Sequence, residues 1–138
     1  MTTVTIDWDI DYKSWRSHAA YAPVKTTRVS SDVIEVRAKR SKAWVQRQIG
    51  LWALATGRSL NYYLRYRRSS GGRVHVEVSS SSELTVGDTF LLRYILADDP
   101  QRIDLDMKRL ERGERTERLF DTKSKNGKVR HAGPWVEW

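Results

Sequence analysis

Along residues 4–11, VTIDWDID, apolar and polar side chains alternate without a break. Val4, Ile6, Trp8 and Ile10 share one face, and Thr5, Asp7, Asp9 and Asp11 the other, which predicts a half-buried strand. Residues 12–28, YKSWRSHAAYAPVKTTR, have no clean period and contain Pro23, so they read as a long irregular segment. Alternation returns in DVIEVRAK (32–39), with Ile34, Val36 and Ala38 expected inward.

The period then changes. In SKAWVQRQIGLWALATG, Ser41 suits an N-cap and Gly57 the left-handed residue past a helix end. Trp44, Val45, Ile49, Leu51, Trp52 and Ala55 fall within an arc of about 160° at helical spacing. An amphipathic helix over about 42–56 follows. After it, SLNYYLRYRRSSGGRVHVEVS predicts a hairpin around a Ser-Ser-Gly-Gly turn. Leu60, Tyr62, Leu64, Tyr66, Val74, Val76 and Val78 are expected inward; Tyr63, Arg65, Arg67, Arg73, His75 and Glu77 outward.

SSSSELTVGD reads as a polar loop with a turn at Gly87-Asp88. TFLLRYILA (89–97) is apolar on both faces and predicts a central strand covered on both sides. DDPQ reads as a turn, and RIDLDMKRL (102–110) as another alternating strand with Ile103, Leu105 and Met107 inward. ERGERTERLFD is dense in charge and fits either a helix or a hairpin, and Gly113 within it favours the hairpin turn. Near the end, KSKNGKVR (123–130) carries Asn-Gly, whose readiness for positive φ marks a two-residue hairpin. That turn sets Lys125 across from Lys128 and Lys123 across from Arg130, four cations on one face. The pattern as a whole predicts an α+β fold: about seven mainly antiparallel strands, one helix packed on a sheet face, and one domain over residues 1–138.

Composition sharpens this picture. The 138 residues carry a net charge of +8 and no cysteine. Lack of cysteine excludes disulfides, zinc-thiolate sites and thiol catalysis. No apolar run approaches the roughly 18 residues of a membrane span, and the first residues do not resemble a secretory signal. A cytoplasmic protein that does not contact membrane is expected. The positive charge is segregated: residues 25–73 hold a net +10 and 123–138 a net +3, against −1 for 1–24 and −4 for 74–122. Such segregation is the footprint of a polyanion binder.

Arginines beside an aromatic on one sheet face suit a nucleic-acid chain, with cations on phosphates and a ring for stacking. The expected contact residues are Tyr63, Arg65, Arg67, Arg73, His75, Lys123, Lys125, Lys128 and Arg130. Single-stranded nucleic acid or RNA fits better than base-specific DNA readout, because no recognition helix is evident. The basic run before the helix, RAKRSK, would need a second helix after Gly57 to make a helix-turn-helix, and a strand follows instead.

Two rival readings stand beside this one. A protein-interaction module, inhibitor or assembly subunit, could dock the basic patch on an acidic protein surface. A small metal-independent nuclease could use His75 and Glu77 as acid and base beside Arg73. An His-x-Glu pair on a strand is common, so binding is favoured over catalysis. The acidic sets Asp7, Asp9 and Asp11, and Asp104 and Asp106 with Lys108, could in principle hold Mg²⁺. Ion pairing with the basic segments or a solvated strand face explains them more simply. No metal, cofactor or nucleotide-binding motif is expected. Trp8, Trp44 and Trp52 are assigned to the core, whereas Trp15, Trp135 and Trp138 sit in irregular or terminal positions, where an exposed ring could stack on a base or anchor a protein interface, and covering the core's edge is the commoner role.

Overall fold

A computed structural model describes residues 1–17, 21–24, 36–116 and 122–138. Among them the element order is β1 (Thr2–Trp8), α1 (Tyr12–Ser17), β2 (Tyr21–Val24), β3 (Val36–Lys39), α2 (Lys42–Thr56), β4 (Tyr62–Arg68), β5 (Val74–Ser80), α3 (Val86–Ile95), α4 (Pro100–Glu111), β6 (Thr122–Lys125), β7 (Lys128–His131) and β8 (Val136–Glu137). The fold is α+β. An antiparallel four-stranded sheet, in the order β1-β5-β4-β8, forms its centre; β2-β3 and β6-β7 are separate two-stranded ribbons.

Period and turn chemistry account for the strands. Val4, Ile6 and Trp8 of β1 are buried with Val74, Val76 and Val78 of β5 and with Leu64 and Tyr66 of β4. In register, Val4 pairs with Val78 and Ile6 with Val76, so the apolar face is continuous across three strands. Against it lie Trp15 of α1, Val45, Ile49 and Trp52 of α2, and Leu92 and Leu96 of α3.

Helix α2 has the expected limits. The Ser41 hydroxyl accepts from the Trp44 amide at 3.1 Å, and Gly57 ends the helix at φ 69°. Its apolar face is narrower than expected: Leu51 and Ala55 of the expected arc are exposed. Gln48, inside the apolar arc, donates to the Ile95 carbonyl at 2.9 Å and so ties α2 to the end of α3.

The chain departs from the alternation in its second half. Residues 89–97 are not a central strand, because they lie in helix α3 and its C-terminal turn. Residues 102–110 belong to helix α4 and are not a strand. Gly87-Asp88 is the first turn of α3: Asp88 and Thr85 form a reciprocal capping box with both contacts at 3.1 Å. Asp99 caps α4 through the Gln101 amide at 2.9 Å, with Pro100 at its first position. Gly113, at φ 71°, terminates α4 rather than turning a hairpin. Residues 12–17 form α1, with Asp11 accepting from the Ser14 amide at 3.0 Å. Residues 21–24 pair with β3 as part of a ribbon. Ile34, the remainder of the 12–28 segment and residues 117–121 lie outside the described residues.

A buried charge network joins α3, α4 and β1. Arg93 is fully buried and pairs with Asp98 at 2.7 Å and Asp106 at 2.8 Å, both equally buried. Arg102 approaches Asp98 to 2.8 Å, and Arg109 approaches Asp106 to 3.1 Å. Asp98 also accepts from the Asp7 amide at 2.8 Å, Asp99 donates its amide to the Asp7 carbonyl at 3.2 Å, and Arg102 donates to the Thr5 carbonyl at 2.9 Å. The outer edge of β1 is thereby satisfied by the α3–α4 corner instead of being left open to another chain.

Removing one partner of a buried charge cluster strands the other. Asp106→Ala is expected to destabilise the fold by about 3–5 kcal/mol. Asp104→Ala, an exposed change on the same helix, should stay within about 0.5 kcal/mol. Urea denaturation of the two variants beside the parent protein checks both values.

Candidate nucleic-acid interface

On the face of the sheet opposite the core, side chains line up in rows across the strands. Thr5, Glu77, Arg65 and Glu137 form one row; Asp7, His75 and Arg67 form the next. This face is more covered than alternation suggests. Arg67 is 7% exposed, and His75 and Glu77 are also buried. Their cover comes partly from the C-terminal segment. Strand β8 pairs with β4 and carries Trp135 over the sheet, with its ring 4.4 Å from the Arg67 guanidinium and 5.3 Å from that of Arg65. Stacked guanidinium and indole planes attract through the ring quadrupole.

The charges on this face are largely matched. Arg65 donates from Nε to Glu77 Oε1 at 2.9 Å. Arg73 lies 3.4 Å from Asp9. Arg67 Nε donates to His75 Nδ1 at 3.1 Å, so Nδ1 of that ring is unprotonated and a neutral ring carries its hydrogen on Nε2. Nε2 stands 3.7 Å from Asp7 Oδ1. His75 and Glu77, the acid and base of a nuclease reading, are therefore each engaged by an arginine across the strand pair. Asp106 lies in the buried network and Asp104 is exposed, so the Asp104–Asp106 set is split between two environments. Among the described residues no group of three or more acids and histidines is placed to hold a metal ion.

What stays open along β4 is an aromatic-cationic stripe. Tyr63 is 73% exposed, and Arg65 keeps part of its side chain in solvent. Arg65 and then Trp135, which covers the buried Arg67, continue from Tyr63 along the strand. At the end of β4, Arg68 donates from Nη2 to the His131 carbonyl at 3.0 Å, and its own carbonyl accepts the Gly133 amide at 2.8 Å. These two bonds anchor the end of the β6–β7 ribbon beside the end of the β4–β5 hairpin. A Cβ on Gly133 would stand 3.5 Å from Arg68 Cβ, within ordinary contact of the strand it crosses.

The ribbon has the expected register. Lys123 pairs with Arg130 and Lys125 with Lys128 around Asn126 at φ 52° and Gly127 at φ 75°. Two successive positive φ values are those of a type I′ turn. Lys128 and Arg130 are exposed. Tyr63, Arg65, Arg67 and His75 thus share one sheet face, Arg73 stands just before β5 beside Asp9, and the ribbon bearing Lys123, Lys125, Lys128 and Arg130 joins that sheet at Arg68. Sequence reasoning left two residues out of this region. The sequence pattern favours an edge of the core for Trp135 and gives Arg68 no role. Only the Arg-Arg pair at 67–68 and a tryptophan in a Gly-Pro-Trp context marked them.

Asp7, at the far end of the histidine row, is held in its protonated form to unusual pH. Burial, followed by the nearby Asp98 carboxylate, raises its pKa from 3.8 to about 6; Asp99 and Asp9 add to the rise and Arg102 opposes it. The sign follows. Below the unfolded value both states are protonated at this position. As pH climbs from about 4 to about 6, the unfolded chain ionises first, so this group lowers stability progressively and then no further. Asp7→Asn removes that loss. The stability difference between Asp7→Asn and the parent should therefore be larger, in favour of the variant, at pH 7 than at pH 4, in thermal melts recorded at both pH values.

Neither a family model, a curated protein nor a solved structure matches this chain.

Proposed function

We propose that the protein binds nucleic acid, single-stranded or RNA, along the outer side of β4 and the β6–β7 ribbon. The observation that supports this reading is the Arg68 junction, whose bonds to His131 and Gly133 tie the end of the β6–β7 ribbon to the end of β4. The roles divide by exposure. Tyr63 stacks a base, and Lys128 and Arg130 with Lys123 and Lys125 meet phosphates. Arg65 and Arg73 stand at the margin, where a phosphate competes with Glu77 and Asp9. Arg67 and His75 hold the surface in shape from beneath Trp135. A mixed surface of this kind reads backbone and ring faces, which gives weak sequence preference.

A second reading, a protein-interaction module, has one observation in its favour. Leu54 is 81% exposed and Tyr94 75% exposed, on helices α2 and α3 that pack together. Apolar side chains of this size at a surface suit a protein partner.

Fluorescence anisotropy with labelled single-stranded DNA, RNA and duplex separates these readings. Binding should weaken steeply with salt. Lys128→Ala combined with Arg130→Ala should flatten the slope of log K against log salt by roughly one to two. Tyr63→Ala should cost about 1–3 kcal/mol of affinity for a single strand with little change in that slope. Lack of binding to all three ligands at low salt would overturn the proposal and leave the protein-docking reading in its place.

A further inference from the structure

On the core side of the sheet, away from Tyr63 and the ribbon, a small cavity opens at the start of α2. It is lined by Trp15, Arg16, Arg40, Ser41, Lys42 and Trp138, with a volume of about 180 Å³. Among the described residues that line it, three of six are cations and none is an acid. Ser41 caps the helix through the Trp44 amide, and the amides of Lys42 and Ala43 have no acceptor within the helix, as in any first turn. The positive end of a helix of 15 residues therefore points toward the same place.

Arg40 is the telling residue. It is only 2% exposed, yet among the described residues its Nε and Nη1 have no hydrogen-bond partner. Its guanidinium stacks on Trp44 at 4.5 Å and lies 5.9 Å from Trp8. Its carbonyl accepts the Trp15 indole N–H at 2.7 Å, which fixes the backbone at the cavity wall. Burial alone pulls its pKa down from 12.5 to about 10. A guanidinium buried among indoles, with no carboxylate beside it among the described residues, is costly, and an anion offsets that cost. Arg16 stands beside it, 5.2 Å from the Tyr66 ring, and Lys42 opens the helix.

The size and charge of the cavity select the ligand. It is smaller than the roughly 300–1,000 Å³ of pockets that enclose a whole small molecule, so it suits a single charged group. Three cations exceed what one carboxylate neutralises and favour a dianion. We propose that this cavity receives a terminal phosphomonoester, with Arg40, Arg16 and Lys42 and the first-turn amides of α2 on its oxygens, and Trp15 and Trp138 as the walls beside the attached sugar and base. The group is the end phosphate of a nucleic-acid strand; a free mononucleotide offers the same chemistry. The assignment to a strand end rests on the nucleic-acid reading above, whereas the phosphate site does not.

The test compares short single strands bearing a 5′-phosphate, a 3′-phosphate or hydroxyls at both ends, by anisotropy, with adenosine monophosphate and inorganic phosphate in thermal-shift assays. One phosphorylated strand should bind about tenfold or more tighter than the hydroxyl-ended strand. Arg40→Met should erase that increment and leave binding of the hydroxyl-ended strand unchanged. Lys42→Ala, an exposed change, should reduce the increment and guards against an Arg40 variant that fails to fold. Equal binding of all three strands would overturn the pocket and leave the nucleic-acid reading intact. Failure of every strand, with Lys42-dependent stabilisation by adenosine monophosphate or phosphate, would overturn the strand-end assignment and the nucleic-acid reading while keeping the phosphate site. Failure of every probe would overturn both.

Discussion

The Arg93 guanidinium, fully buried between Asp98 and Asp106, is the contact on which the helical half of this fold depends. A buried ion pair contributes little net stability by itself, because the cost of dehydration offsets most of the attraction. Its value here is positional. Asp98 binds Arg93 of α3, approaches Arg102 of α4, and accepts the amide of Asp7 in β1. One carboxylate thus sets the angle between two helices and closes the edge of the sheet. A non-glycine residue at φ 57°, Ala97, turns the chain immediately before it, which shows how tightly the corner is specified.

The other side of the core is organised by rings. Trp8 meets Trp15, Trp44 and Trp138 edge to face at 6.2, 6.2 and 6.3 Å, and Trp15 meets Tyr66 at 5.2 Å. These residues come from β1, α1, α2, β4 and the chain end. Edge-to-face contacts are directional, so the cluster fixes orientation as well as burying area. It also supplies the floor on which Arg40 stacks. The Trp138 amide donates to the Leu64 carbonyl at 3.0 Å, which seats the last residue in the cluster and holds Trp135 on the opposite face of the sheet. The short C-terminal strand therefore serves both candidate surfaces at once.

The two surfaces differ in how their cations are partnered. On the outer sheet face Arg65 and Arg73 stand beside carboxylates, and Arg67 beside His75 and Trp135. A phosphate arriving there exchanges one partner for another. At the cavity by α2, Arg40 has aromatic neighbours and unfilled donors. Charge counted along the chain does not distinguish these situations, although their consequences for an anion are opposite.

Much of the local structure was legible in the amino-acid order. The limits of α2 follow from Ser41 and Gly57, the β6–β7 register from Asn126-Gly127, and the buried faces of β1, β4 and β5 from strict alternation. Each depends on dihedral preferences and spacings within a few residues. The strand expected over 89–97 failed because a short run that is apolar throughout fits either period, and the Thr85-Asp88 box that decides for helix resembles a loop followed by a turn. For 102–110 the apparent inward set was misleading: Leu105 and Met107 are exposed, and the charged Asp106 is buried with Ile103. Asp106 can face the core only because Arg93 is there to receive it, and residues 93 and 106 meet only after α3 and α4 fold against each other. The same holds for Trp135 over Arg67, for Arg68 at His131, and for Arg40 beside Trp15. Sequence by itself determined the limits of α2, the β6–β7 turn and the alternating faces of β1, β4 and β5; the helices of the second half and the partner of each buried charge were decided by tertiary structure, because electrostatic and ring contacts act through space between residues far apart along the chain.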